Sequence, residues 1–432
     1  MASNFSQLRF CLLFPLVVLL TTIFSVPSDA FHNGGVGYCE GCHALHKPGE
    51  NPFDAGGQNP YLLISSDPGS VCLTCHMDAR NNVPTDYRVA TADSDIPNGT
   101  APVQLTPGGD FGWLKKRYRW GSGNGDAVYE SKGERHGHNI IAADYQFVPD
   151  STLTSAPGGT YPSDGLSCIS CHDPHGKYRR LEDGSIRTSG LPVVDSGSYA
   201  TSSDPVPKFA VGVYRLLGGK GYSIASVKIE SFTFDPPAAV SPLDPNRAED
   251  GADTRVAYGS GMSEWCANCH RNMLGSNNNA NSHPAGNTVR MTTETIANYN
   301  AYIASGNFSG TRASSYTSMV PFEMGTSDYS VLKRTANKDG AVMSGPDGNS
   351  NVMCLSCHRA HASGWDHGAR WNLKVDTLVY NGQFPGTDDS TIPASISQGR
   401  TRAETRKAYY DRPPTAYATY QRSLCNKCHA KD

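Results

Sequence analysis

The pattern Cys-x-x-Cys-His occurs six times, at Cys39/Cys42/His43, Cys72/Cys75/His76, Cys168/Cys171/His172, Cys266/Cys269/His270, Cys354/Cys357/His358 and Cys425/Cys428/His429. Two cysteines three apart lie about one helical turn apart. Their sulfurs can bond both vinyl groups of one porphyrin while the next His reaches the iron. This is the attachment spacing of haem c, so six motifs predict six covalently held haems. The chain has 13 Cys, and the motifs use all but Cys11. No thiol is left for disulfides or a further cluster, and the six terminal His speak against four-ligand zinc sites.

Each iron then needs a sixth ligand or keeps an open position. Of the 14 His, six are proximal, leaving His32, His46, His136, His138, His175, His283, His361 and His367. Bis-His ligation throughout is possible, and a saturated iron cannot bind substrate without losing a ligand. Three motifs carry a second His three residues after the first, as His43/His46, His172/His175 and His358/His361. The later His cannot easily wrap to the opposite face of the porphyrin its neighbour holds, so it should serve a different haem. His136 and His138 compete for one role, since alternate residues diverge. His283 precedes Pro284, which favours an extended approach. His367 reads as a structural or surface residue.

The elements positioning these residues should be slight. Gly and Pro number 44 and 28, and charged residues make up only 18% of the chain. That composition favours turns over long helices. The expected fold is mostly irregular, with short helices at the haem motifs, a few short strands and a core built largely of porphyrin. Val211–Leu217, Ser226–Phe234 and Leu373–Tyr380 have the character of strands. Ser151–Ser163, Pro192–Pro207, Gly275–Asn287 and Tyr380–Ile396 read as loops. Residues 1–30, with an apolar run from Cys11 to Phe24 and the step Ser28-Asp29-Ala30, read as a removed secretory signal. Cys11 would leave with it. Residues 31–432 form a single hexahaem unit, with no later membrane span.

The formal charge of −3 becomes more negative once haem propionates are added, which disfavours a nucleic-acid partner. The basic-aromatic run Lys115–Trp120 reads as propionate pairing or a solvated face. Asn98-Gly99-Thr100 and Asn307-Phe308-Ser309 match a glycosylation sequon that means little in a bacterium.

The chain resembles the OmcS-type hexahaem outer-surface cytochromes of metal-reducing bacteria, most specifically in Gly108–Trp113, Gly137–Ile140, Ser170–Arg180, Met262–His270, Cys354–Gly364 and Tyr420–Asp432. The resemblance implies six bis-His haems in one continuous stack and a homopolymeric filament. It further implies distal ligands at His32, His138, His175, His283 and His361, with His46 ligating a haem of the neighbouring subunit. His136 and His367 depart from the family pattern. The leading expectation is therefore an exported electron-transfer protein, not an enzyme. It would pass electrons from other redox cytochromes to external acceptors such as metal oxides or electrodes. A monomeric shuttle and a multihaem reductase with one open iron are the alternatives; no Cys-x-x-Cys-Lys motif supports the latter.

Overall fold

The computed structural model describes residues 39–44, 62–78, 87–121, 127–224, 230–242, 248–249, 254–274, 284–338 and 340–430. The signal segment, Cys11, His32, His46 and His283 lie outside the described residues. Among those described, no helix exceeds nine residues: α1 (Pro68–His76), α2 (Met262–Cys266), α3 (Thr293–Ala301), α4 (Tyr329–Thr335), α5 (Ala394–Ser397) and α6 (Arg402–Ala408). None is long and apolar enough to cross a membrane.

Local side chains explain where these helices start. Asp67 accepts from Ser70 N at 2.9 Å with Pro68 at the first helical position of α1, where proline loses nothing. Thr292 accepts from Thr295 N ahead of α3, and Asp328 from Ser330 N and Val331 N ahead of α4. Thr401 and Glu404 form a reciprocal capping box at α6.

Strands among the described residues are two or three residues long. β1 (Met77–Asp78) pairs in parallel with β2 (Ala90–Thr91), and β3 (Tyr118–Trp120) pairs antiparallel with β4 (Tyr129–Ser131). β5 (Arg179–Arg180) lies between β6 (Ile186–Arg187) and β7 (Val211–Gly212), and β8 (Ala239–Val240) pairs with β9 (Ala257–Tyr258). The main apolar cluster runs from Leu73 to Leu424 and includes Trp113, Tyr299, Trp365, Trp371, Phe384 and Tyr409.

Three strand expectations need correcting. Val211–Leu217 keeps only the two residues of β7 before a 3-10 turn at Tyr214–Leu216. Leu373–Tyr380 holds no strand: Leu378 and Val379 are fully buried, and Leu378 N donates to Gln421 O. Its apolar pattern reports burial in irregular chain rather than a pleat. The described part of Ser226–Phe234, residues 230–234, is also irregular. The basic run divides between two environments. Lys115 reaches Asp93 at 2.6 Å and Lys116 reaches Glu404 at 3.2 Å, while Arg117, paired with Glu130, and Arg119 are exposed.

Candidate haem-attachment and iron-ligand sites

Each motif is wound on one helical turn. The proximal His N–H donates back to the first Cys carbonyl at 2.8 Å for His43, 3.0 Å for His172 and His270, and 3.1 Å for His358 and His429. The second motif completes its turn as the end of α1. Two motifs share a brace in the x position: Ser170 Oγ accepts from Ser167 N at 2.9 Å, and Ser356 Oγ from Met353 N at 3.1 Å. Both serines are buried.

The six turns are neighbours in sequence order. Hydrogen bonding between Cys72 and Cys168 lowers the first thiol's pKa and raises the second. Cys354 is pulled down to about 7 by its hydrogen bond with Cys266. The remaining steps show in weaker, through-space electrostatic influences. Burial and then Cys72 and Cys75 raise Cys42; burial and then Cys171 raise Cys269 to about 12; burial and then Cys425 and Cys428 raise Cys357 to about 12. The sulfurs thus influence one another in sequence order, from the first motif to the sixth.

Cysteine is among the most buried residue types, yet all 12 of these keep part of their surface open to solvent although dense protein surrounds several of them. The candidate ligands His43, His76, His138, His172, His175, His270, His358, His361 and His429 are likewise partly or fully exposed. Burial nonetheless pushes His138, His172 and His358 below the usual range. Rings partly open to solvent yet flanked by dense protein have room for a flat porphyrin on their open side. Among the described residues no three His, Cys, Asp or Glu are grouped to hold a bare metal ion.

The ring nitrogens are differentiated. Nδ1 of His76, His172, His270 and His358 meets the carbonyl oxygens of Tyr87, Arg215, Pro157 and His367 at 2.6, 2.7, 2.8 and 2.8 Å. His138 Nδ1 does the same with Ala360 O at 2.7 Å. An Nδ1–H donated to a carbonyl fixes the tautomer that leaves Nε2 with its lone pair for a metal.

The rings also stand in pairs. His43 and His175 have centroids 6.5 Å apart, His172 and His361 6.4 Å, and His138 and His270 6.0 Å. With a metal–imidazole bond of about 2 Å, two rings on opposite faces of one iron lie roughly 6 Å apart. The three spacings match that demand. His175 thus faces His43, not His172 of its own motif, and His361 faces His172.

One loop clips two of these rings together. His361 N donates to Gly108 O at 2.7 Å, His138 N to His361 O at 2.9 Å and Asp110 N to Ala362 O at 3.2 Å. Phe111 stacks on His361 at 4.7 Å. The buried Asp110 carboxylate anchors the loop, accepting from Thr91 N at 2.9 Å, Thr91 Oγ at 2.5 Å, Gln104 N at 2.9 Å and Gly112 N at 2.7 Å. Sequence reasoning missed this role of Asp110.

His136 differs from all of these. Both its nitrogens are engaged, Nδ1 with Trp113 O and Nε2 with Ser131 Oγ, each at 2.8 Å, and it is 0% exposed. His367 is exposed and contributes its carbonyl, not its ring, to His358.

No family model matches the chain. It is 50% identical over 428 residues to the C-type cytochrome OmcS of Geobacter sulfurreducens, an alignment covering 96% of this chain and 98% of that one. The chain belongs to the OmcS family of c-type cytochromes. It carries covalently bound haem c and transfers electrons. Two solved structures superpose on this family member with a TM-score of 0.85, covering 93% of this chain and all of theirs. They are the OmcS nanowires of G. sulfurreducens, seen by cryo-electron microscopy at 50% identity, and an outer membrane cytochrome S filament of that organism at 49%.

Proposed function

We propose that this chain is the hexahaem subunit of an electron-conducting filament on the outer surface of the cell, built as a single haem-packed unit from residue 31 to 432. The three histidine pairs carry the reading. On this reading His43 and His175 hold the first haem, His172 and His361 the third, and His270 and His138 the fourth; ring spacings of 6.5, 6.4 and 6.0 Å support it. The proximal ligands of the second, fifth and sixth haems are His76, His358 and His429. Three histidines remain for their opposite faces, namely His32, His46 and His283, all outside the described residues. Bound haem would supply a one-electron iron couple that accepts and passes on electrons; this chain's residues would hold the porphyrin and ligate its iron.

With every iron saturated the protein turns over no substrate, and it acts as a conductor rather than an enzyme. The mutual influence of the sulfurs in sequence order supports transfer from haem to haem within the subunit. The filaments formed by the solved relatives support its continuation between subunits. We assign the joint to His46 on a neighbouring copy's haem. Electrons would enter from other redox cytochromes and leave to metal oxides or electrodes.

The test is His46→Ala in the exported, haem-loaded chain. Electron microscopy should show dispersed subunits, and electron paramagnetic resonance should show one high-spin iron. Filaments that persist with six low-spin irons would remove His46 from the joint. Carbon monoxide binding to the reduced parent protein would reveal an open iron and return the reductase reading.

A further inference from the structure

Glu323 is 0% exposed, and its Oε1 accepts from Met262 N at 2.8 Å. Met262 opens α2, and Gly261 before it has no side chain with which to cap that helix. Glu264 on the same helix, partly exposed, accepts through Oε1 from Asn287 N at 2.6 Å. Asn351, 1% exposed, exchanges backbone hydrogen bonds of 3.0 Å with Glu323 in both directions. Their remaining oxygens are left over: Glu323 Oε2, Glu264 Oε2 and Asn351 Oδ1 accept no hydrogen bond although water does not reach them.

Buried acceptors without a donor are rare in native interiors. A proton answers the shortage, because a protonated carboxyl donates as well as accepts. Burial raises Glu323 to about 8 against the pull of the Met262 N–H, and the Glu264 charge adds to the rise. The other elements packed on it bring no counter-charge: exposed Arg290 donates to Asn349 O, Asp347 pairs with Arg312 at 3.0 Å, and β9 contributes Tyr258. The cluster sits where two haem-bearing turns meet. Cys266 follows Met262 by four residues, about 6 Å along the helix. Ser263 Oγ accepts from Cys354 N of the fifth motif at 3.2 Å.

We propose that Glu323 is a proton-binding site coupled to the fourth haem, its carboxylate taking one proton from water as that haem's iron passes from the ferric to the ferrous state with one electron from a neighbouring haem. The product is a neutral carboxylic acid, so the charge brought by the electron is balanced within the subunit. The inference rests on the haem-loaded reading but not on filament formation. Reduction places a further negative charge beside the carboxyl and strengthens its hold on the proton. The potential of that haem is therefore level while Glu323 is protonated in both states, and falls with rising pH once the oxidised protein releases the proton.

The experiment uses the haem-loaded full chain, with haems counted per chain and the reductive steps resolved by spectroelectrochemistry from neutral to alkaline pH. In the parent, one step should stay level up to about pH 8 and then fall. In Glu323→Gln, neutral at every pH and of the same shape, that step should keep the parent's low-pH position throughout, while Glu323→Asp should retain a slope. A slope that survives in Glu323→Gln, or a parent with no such step, would overturn the proposal. If Glu323→Gln loses haem, redox-difference infrared spectroscopy of the parent at alkaline pH decides: a carboxylic-acid C=O band should appear on reduction and shift in heavy water, and its absence would overturn the assignment. A parent step that moves when calcium is chelated would show that these oxygens hold a cation and not a proton. A parent chain without six haems would instead fail the underlying reading.

Discussion

His136 and His138 sit two residues apart and have opposite chemistry. His138 offers Nε2 because Ala360 O occupies Nδ1, whereas His136 has no nitrogen to give. His138→Ala should therefore turn one iron high-spin, and His136→Gln should leave all irons low-spin, as read by electron paramagnetic resonance. Burial lowers the pKa of both residues, and His136 shows the consequence for stability. Burial, reinforced by the Arg400 charge, lowers His136 from 6.5 to about 4. Between those values the unfolded chain binds a proton that the folded chain refuses. The contribution is therefore complete above pH 6.5 and lost as the pH falls toward about 4, on the order of 3 kcal/mol in all. Acid titrations of unfolding should show that loss in the parent and not in His136→Gln. Nothing in the sequence separates the two histidines, since the deciding partners include a carbonyl 222 residues away. The motif residues needed no such partner to be found.

The loop Thr106–Gly112 is the element on which two candidate ligands depend. Gly109 has φ +103°, and a Cβ there would stand 1.8 Å from Ala362 O. Gly109→Ala should cost roughly 3 kcal/mol through strain and displacement of the clip. Ligand-field bands of two haems should shift together in optical spectra. Gly184, also at positive φ but with nothing within 4 Å, should cost only about 1 kcal/mol as Ala, with no spectral change. Among elements, the six motif turns were legible because their spacing is the chemistry. The Thr401-x-x-Glu404 box at α6 was readable and passed over. Leu373–Tyr380 misled because apolar residues buried in irregular chain imitate strand alternation; the local sequence does not reveal that Leu378 N pairs with Gln421 O.

At the scale of the molecule, short elements must be held by something other than their own ladders. Among the described residues the longest helices have nine residues, and no strand exceeds three. Apolar side chains join distant segments from Leu73 to Leu424, while 12 open thiols and their histidines mark where porphyrin surface completes the interior. A chain produced without haem attachment should consequently lose cooperative unfolding, seen as a flat near-ultraviolet circular dichroism melt. A sharp transition in that material would show that the protein core suffices alone. The irregular fold class was legible from composition and motif count. The order of the sulfurs in space and the pairing of the rings arise only when the chain closes on itself.

The rings of five candidate ligands are oriented by main-chain carbonyls, at Tyr87, Arg215, Pro157, His367 and Ala360. A mutation at any of those positions changes a side chain and leaves the acceptor in place. The orienting layer is thereby shielded from amino-acid drift in a way that a layer of Asp or Ser partners would not be. Two chains can exchange half their residues, as this one and its Geobacter relative have, while the orientation of their iron ligands need not change.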